Sequence, residues 1–299
     1  MSALPQIPAV TNRYAERFAR VLDYIESHAD GAVTMDELSR IAAFSRFHFQ
    51  RQFAGFLGMG VYRYVQFMRM RRASWRLAFR LDNPIIDIAL ATGYESAEAF
   101  ARAFRQYAGQ SPSDFRAQPD WIEWHSRFRP FLHLRQSSMQ PQTSPLQVRV
   151  VSFAATRLAV LEHRGSPLRI GESVRHFIEW RKANSLPPRT SATFNIIYND
   201  PDETPAEDFR FGLGVATDQP ITGSESDMVE LLLPAGRCAL LRHVGSDDHL
   251  GRTLRHLYSS WLPTSGEEPR DFPLFMQRVK FFPDVPESEA VTDIYLPLM

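Results

Sequence analysis

The chain has 299 residues, of which 44% are hydrophobic, with 34 basic residues, 34 acidic residues and one cysteine. This length exceeds one small domain and suits two. A single cysteine excludes an intramolecular disulfide and a thiolate metal cluster. No stretch approaches 18 consecutive apolar residues, and the first residues lack a basic, apolar secretion signal. We therefore expect a cytoplasmic protein with no membrane partner.

The balanced charge hides an asymmetry between the two halves of the chain. Residues 1–135 contain 18 arginines and 13 acids, whereas residues 136–299 contain 16 basic and 21 acidic residues. The segment 40–80 has nine arginines and no acid. A charge run usually marks a solvated face, but such faces normally mix signs, so this run favours contact with phosphate. Only the first half therefore has the charge of a polyanion binder.

A first helix-turn-helix pattern begins at Thr34. Thr34 and Glu37 form a predicted capping box, in which a hydroxyl and a carboxylate satisfy the free amides of a helix's first turn. The chain then turns at residues 44–45 and enters a second helix from Arg46 to Phe56, with Ser45 placed to cap it.

A second pattern of the same kind follows about fifty residues later. Pro84 opens its first helix at a position where the missing N–H costs nothing. Gly93 supplies the left-handed backbone that ends this helix. Ser96 is then placed to cap a second helix from Ala97 to Tyr107. Two helix-turn-helix units in one chain are a DNA-binding layout.

Each second helix has an apolar face and a polar face. The predicted buried residues, spaced as on one side of a helix, are Phe49, Phe53 and Phe56 in the first and Phe100, Phe104 and Tyr107 in the second. The opposite faces present Arg46, Phe47, Gln50 and Arg51 in the first, and Ala97, Glu98, Ala101, Arg102 and Arg105 in the second. Gln can bond an adenine edge, Arg a guanine edge, and an exposed aromatic ring or Ala suits a thymine methyl group.

The segment between the two patterns, residues 61–81, has no Pro or Gly and predicts one helix. About 20 residues at 1.5 Å each span roughly 30 Å, which is close to one turn of B-DNA, about 34 Å. One chain could thus place two reading helices in successive major grooves without a dimer. Within this helix we expect Arg71 and Arg72 to contact phosphate, and not bases.

Residues 14–118, including the trailing segment 109–116, resemble the paired helix-turn-helix domain of AraC/XylS-family transcription regulators. The resemblance implies base contacts from Phe47, Gln50 and Arg51 in the first reading helix and from Ala97, Glu98 and Arg102 in the second. Ala97 is a poor hydrogen-bonding substitute for the polar residues common there, so we expect the second unit to contribute mostly phosphate anchoring and shape. Glu95 either accepts from a cytosine amino group or is a carboxylate favoured by the helix dipole.

A composition change predicts the domain boundary. Residues 136–145 are polar, contain proline and lack charge and periodicity, which is typical of a linker. A short helix from Trp121 to Leu134 is expected to close a first domain over 1–135, with a second domain over 146–299. Cys238 lies in an apolar run, which predicts a buried strand residue.

The second half contains an internal repeat. Residues 155–176 recur at an offset of 80, with ten identities in 22 positions. Each copy predicts a strand, a His-x-Gly-Ser turn, a helix ending near Trp180 or Trp261, and two further strands. We therefore expect a multi-domain protein in which an all-α double helix-turn-helix domain precedes an α+β domain with a duplicated strand-helix-strand-strand unit. Two such units would form a sheet with helices on one face and a ligand groove along a pseudo-twofold axis.

This second half resembles the GyrI-like effector-binding domain, and the two domains together resemble the arrangement of Rob-like regulators. Family members that bind cationic drugs often carry a glutamate after a Pro-x-Phe sequence. Here Pro273-Leu-Phe275 is followed by Met276. The resemblance therefore implies that Met276 lines the ligand groove, and that the effector is neutral or apolar, or is absent.

The segment His243–His249 offers residues for metal binding or acid-base catalysis, but the first copy of the repeat lacks both acids and the second histidine. We therefore expect no enzyme activity, metal or cofactor. The sequence predicts a sequence-specific transcription regulator whose partners are double-stranded promoter DNA, RNA polymerase and a small molecule. The alternative is a small-molecule binding or sequestering protein, or a hydrolase, that carries a DNA-targeting domain.

Overall fold

The computed structural model describes residues 12–28, 31, 33–138, 146–201, 203–221 and 227–299. Its contacts divide the chain into two units. The first unit holds the described residues up to Arg116 and those from Ser126 to Ser138, and the second holds Ala117–His125 and the described residues from 146 onward. Among the helices in these ranges, none has the length and apolarity needed to cross a membrane.

In the described part of the chain, eight helices precede the sheet. They are α1 Asn12–His28, α2 Met35–Ile41, α3 Arg46–Leu57, α4 Val61–Phe79, α5 Ile85–Ala91, α6 Ala97–Ala108, α7 Pro112–Ala117 and α8 Trp121–Ser138. The two predicted helix-turn-helix units, α2–α3 and α5–α6, are confirmed, as is the single connecting helix α4. Helix α8 is longer than the helix predicted over 121–134, so the predicted linker begins within it. The rest of that linker, residues 139–145, lies outside the described residues.

Local sequence signals explain most of the helix ends. The capping box of α2 is confirmed, because the Glu37 amide donates to the Thr34 hydroxyl and the Thr34 amide donates to the Glu37 carboxylate. These bonds from Thr34 hold the pKa of Glu37 below its usual value. Gly93 has φ of +83°, as its predicted role requires. Pro84 caps α5 from one residue before the helix and does not occupy its first turn.

The core of the first unit is aromatic and is centred on α4. Of the six residues predicted to be buried on the reading helices, Phe49, Phe53, Phe100 and Phe104 are fully buried. Phe56 and Tyr107 are only partly buried. They lie at the core's edge, where Phe56 stacks on Phe18 and Tyr107 meets Phe67 edge-on. The innermost position at the end of α3 belongs to Leu57.

In its described residues, the second unit is an eight-stranded antiparallel sheet with helices. Its elements are β1 Val148–Phe153, β2 Thr156–Arg164, α9 Ile170–Ala183, β3 Thr193–Ile197, β4 Arg210–Ala216, β5 Met228–Leu233, β6 Gly236–Val244, α10 Leu250–Arg255, a π-helical turn His256–Trp261, α11 Leu262–Ser265, β7 Leu274–Lys280 and β8 Val291–Pro297. The strand order is β1-β6-β8-β7-β3-β4-β2-β5. The predicted duplication is confirmed, and Cys238 is buried in β6 as predicted.

Each repeat also has a leading strand that the sequence reasoning missed, β1 in the first and β5 in the second. These strands exchange partners, because β1 pairs with β6 of the second repeat and β5 pairs with β2 of the first. The registers are the same after a shift of 80, since Val148 lies opposite Leu241 and Met228 lies opposite Leu161. Each repeat therefore completes the edge of the other, and the two form one sheet.

A one-residue insertion distinguishes the second repeat from the first. Three residues separate His176 from Trp180, whereas four separate His256 from Trp261. The structure has a π-helical turn over these residues of the second repeat, while α9 is a regular α-helix. One extra residue in a helix is accommodated as such a turn. After the insertion, equivalent residues of the two repeats are 81 positions apart.

Candidate DNA-reading helices and effector seam

Helix α3 presents one strongly polar face to solvent. Arg46, Phe47, His48, Gln50 and Arg51 are exposed and line one shallow depression, while Phe49 on the opposite side is buried. Phe47 is 89% exposed, the highest value among the large exposed hydrophobic side chains of the described residues. The ring of Phe47 thus buries little surface in the fold, and the exposed face around it is a candidate contact surface.

Helix α6 is built in the same way but has a different polar face. Glu95, Glu98, Arg102 and Arg105 are exposed, whereas Ala97 is half-buried. The pKa of Glu98 is lowered by its own backbone amide, by the Ser96 hydroxyl and by Arg102. The carboxylate is therefore tied to the start of α6, where the helix dipole favours it.

The two reading helices differ in their caps. The Ser96 hydroxyl accepts from the Ala99 amide at 3.2 Å, whereas Ser45 makes no side-chain capping bond. Ser96→Ala should therefore lower the free energy of unfolding of the first unit by about 1 kcal/mol, and Ser45→Ala should change it by a few tenths at most. Urea denaturation of the full chain measures both. Equal losses would show that the bond at Ser96 does not stabilise α6.

The structure disagrees with the phosphate role predicted for Arg71 and Arg72. Both are buried, with 7% and 8% of their surface exposed. The cause is the central position of α4, which contacts α3, α5 and α6 and meets Phe128 and Phe131 of α8. The exposed arginines of the acid-free run are Arg40, Arg46, Arg51 and Arg63.

The repeated His-x-Gly-Ser turns of the second unit have a structural role. His163 Nδ1 lies 2.8 Å from the Ser173 hydroxyl and its Nε2 lies 3.1 Å from the Ser166 carbonyl. His243 makes the equivalent bonds to Thr253 and Ser246 at 2.8 and 3.0 Å. Each imidazole thus joins its turn to the following helix. Burial lowers the pKa of His243, which favours the neutral ring.

The other residues of the segment 243–249 do not form a metal site with His243. Asp247 is exposed and pairs with Arg278 at 2.6 Å. Among the described residues, no three His, Cys, Asp or Glu side chains come together as metal ligands.

A seam divides the helix-bearing face of the sheet. Two separate apolar clusters lie on this face, one under α9 and one under the helix of the second repeat. The central strands β3 and β7 lie where the two clusters meet, and Met276 of β7, directly opposite Asn195, belongs to the second cluster. These two residues are equivalent in the duplication, so the pseudo-twofold axis passes between them. We call this central strip, with Thr193, Asn195, Ile197, Leu274, Met276 and Arg278, the effector seam.

Met276 is buried in the cluster with Leu257 and Ile294, with 1% of its surface exposed. The polar groups of the seam were missed in the sequence reasoning. Asn195 is buried, its Oδ1 accepts from Arg278 Nε at 2.8 Å, and the side chain of Arg278 is 17% exposed. Their alternation with apolar residues in β3 and β7 was the available signal.

Comparisons with known proteins assign both units. Residues 146–299 match the family described as GyrI-like small molecule binding domain, and residues 38–118 match a helix-turn-helix domain family. The chain is 36% identical over 154 residues to the probable transcriptional regulator YgiV of Escherichia coli K12, covering 51% of this chain and 96% of that protein.

Two further proteins are similar to part of the chain. The right origin-binding protein of Escherichia coli K12 is 32% identical over 120 residues, which are 40% of each chain. A crystal structure of an AraC-type transcriptional regulator from Chromobacterium violaceum shares 24% identity, with a TM-score of 0.33, over 34% of this chain and 91% of that one.

The predicted family and function are confirmed by these matches together with the two helix-turn-helix units and the duplicated sheet. The chain belongs to the GyrI-like small-molecule-binding family, carries a helix-turn-helix domain before that domain, and is a DNA-binding transcription regulator.

Proposed function

We propose that one copy of this chain reads promoter DNA with two helices and that its GyrI-like unit senses a small molecule. The observation that carries the proposal is the exposed face of α3. A fully exposed phenylalanine next to Gln50 and Arg51 provides the apolar, amide and guanidinium groups that distinguish base pairs in the major groove. We assign Phe47, Gln50 and Arg51 to base edges.

Helix α6 has the second, less specific role in this proposal. Its half-buried Ala97 offers only a methyl group, and Glu98 is held at the helix start by Ser96. We assign Arg102 to phosphate, Glu95 and Glu98 to orientation of the helix or to cytosine amino groups, and Arg46 to phosphate beside α3. We do not assign Arg71 and Arg72 to phosphate, because buried guanidinium groups cannot reach a DNA backbone.

The connecting helix sets the spacing. Helix α4 has 19 residues, a length of about 28 Å. This is close to the 34 Å between successive major grooves on one side of B-DNA. RNA polymerase is the proposed downstream partner of the bound regulator. The proposed domains are 1–135 and 146–299, joined by 136–145, and the proposed role of the chain is binding without catalysis.

A gel-shift assay tests this function against the alternative of a sequestering protein that is only targeted to DNA. The full chain is titrated into a pool of promoter fragments at roughly 50 to 200 mM salt, a range over which phosphate-dominated binding weakens steeply. Discrete complexes with a subset of fragments that persist at the higher salt support the proposal. Uniform binding that disappears at the higher salt would contradict it.

A further inference from the structure

We propose that the effector seam binds amphipathic organic anions, with Arg278 as the residue that takes the ligand carboxylate. This inference rests on the proposed sensing function and names its ligand class. It replaces the expectation of a neutral effector. That expectation was based only on the missing carboxylate at position 276 and did not include the charged side chains beside this position.

One row of laterally paired residues crosses the sheet through the centre of the seam, and this row has a polar residue only at that centre. Laterally paired residues lie on the same face of a sheet. The row that crosses all eight strands is Met228, Leu161, Leu213, Asn195, Met276, Ile294, Leu241 and Val148. Its only polar member is Asn195, which is buried at the pseudo-twofold axis. An amide at this place needs polar partners: its Oδ1 accepts from Arg278 Nε, and its Nδ2 donates to the Gly212 carbonyl.

The duplication gives the seam one polar side and one apolar side. Arg278 lies opposite Thr193 on β3 and Thr292 on β8. Its equivalent in the first repeat is Ile197, which lies opposite Leu274. The two ends of the seam are therefore chemically different, although the backbone around them is nearly symmetric. An amphipathic molecule matches such a surface better than a uniformly apolar one does.

The charge of the polar side is positive. Arg181 is buried, and its guanidinium donates to the Thr193 hydroxyl and to the carbonyls of Leu186 and Ser191. Burial lowers the pKa of Arg181 to about 10, so this group stays cationic at neutral pH. Thr193 thus accepts a hydrogen bond from the Arg181 guanidinium and lies opposite Arg278 on β7. Asp247 pairs with Arg278 alone of these two groups, and it is 56% exposed at the rim.

Arg278 has bonding capacity left for a ligand. Its Nε donates to Asn195, and one terminal nitrogen, Nη1, donates to Asp247 and Thr292. Within the described ranges, the other terminal nitrogen, Nη2, has no hydrogen-bond partner. A ligand carboxylate can therefore bond Nη2 directly, and can also displace the exposed Asp247 carboxylate to form a bidentate pair. Asp247 acts as a weak internal competitor for this place.

Binding of three matched probes to the full chain tests the proposal. The probes are 2-naphthoate as the anion, 2-naphthamide as the neutral analogue and tetraphenylphosphonium as the lipophilic cation, measured by isothermal calorimetry at neutral pH. We expect naphthoate to bind roughly tenfold or more tightly than naphthamide, since a charge-assisted bond is about twice as strong as a neutral one. Equal binding of acid and amide, or stronger binding of the phosphonium, would overturn the proposal.

Two variants locate the binding. Arg278→Gln should weaken naphthoate binding roughly tenfold or more, whereas Arg242→Gln should leave it unchanged. Arg242 is a matched control because it is also paired with an acid, Asp293, but on the opposite face of the sheet. Loss of binding in both variants, or in neither, would contradict the assignment.

A third variant covers the case in which Arg278→Gln does not fold. Asp247→Asn keeps Arg278 but removes the competing carboxylate, so naphthoate affinity should rise. Unchanged or weaker affinity would overturn the proposal. DNA binding is measured on the same preparations. Specific DNA binding without naphthoate binding would reject the ligand class alone, whereas loss of specific DNA binding in the unmodified chain would reject the proposed function.

Discussion

Gly171→Ala is expected to destabilise the second unit by about 1–3 kcal/mol, the usual effect of overpacking. A Cβ atom at Gly171 would lie 2.3 Å from the indole of Trp121. Trp121 is buried and belongs by its contacts to the same unit as Gly171. The indole would have to move and lose its packing, because a Cβ cannot approach an aromatic carbon so closely.

The duplication provides the control for this variant. Gly251 is the equivalent second residue of α10, and a Cβ there would meet only Arg255 Nη1 at 3.9 Å. Gly251→Ala should therefore stabilise the unit by up to about 1 kcal/mol, the propensity difference between Ala and Gly in a helix. Denaturant titration of the full chain and both variants measures the changes. Stability changes of the same sign in the two variants would show that the Trp121 contact does not constrain Gly171.

Gln50→Ala and Arg51→Ala should each weaken binding to a selected DNA site by about 1–3 kcal/mol, as expected for a lost base-edge contact. Their binding to random-sequence DNA should change little, because nonspecific affinity comes from phosphate contacts. Both side chains are exposed on α3, so the substitutions should leave folding intact.

Gln106→Ala is the matched control for Gln50→Ala. Gln106 is also exposed, but it lies near the end of α6, away from the first turns that present the reading residues. Its substitution should leave specific binding within a factor of about two, the usual range for a surface change away from contacts. An equal loss in Gln106→Ala and Gln50→Ala, or equal losses on selected and random DNA, would show that Gln50 does not read bases.

In the helical half, the features that depend only on residues close in sequence could be predicted. The capping box at Thr34, the left-handed turn at Gly93 and the buried Phe49 and Phe53 depend on neighbours within a few residues. The burial of Arg71 could not be predicted in this way. Helix α4 has no face made only of apolar residues. The helices that cover Arg71 come from segments before and after α4 in the sequence.

The duplicated half shows the same distinction. The repeat identified β2 and β6, because their apolar runs are bounded by the His-x-Gly-Ser turns. The leading strands β1 and β5 were missed, since each pairs with the other repeat and lies outside the repeated segments that identified the duplication. The pseudo-twofold axis follows from the repeat, and a ligand groove along it stays a prediction. The charge beside this axis was not predicted, because Arg278 and Asn195 meet only through the pairing of β3 with β7.

Selection of bound sites from a random DNA pool, combined with the stoichiometry of the selected complex, tests the central claim most directly. If one chain reads with both α3 and α6, the selected sites should contain two blocks of preferred bases, about 10–10.5 base pairs between centres. The α3 block should be the more strongly specified, and the complex should contain one protein per site. A single block of preferred bases, or a palindromic site occupied by two chains, would contradict the account.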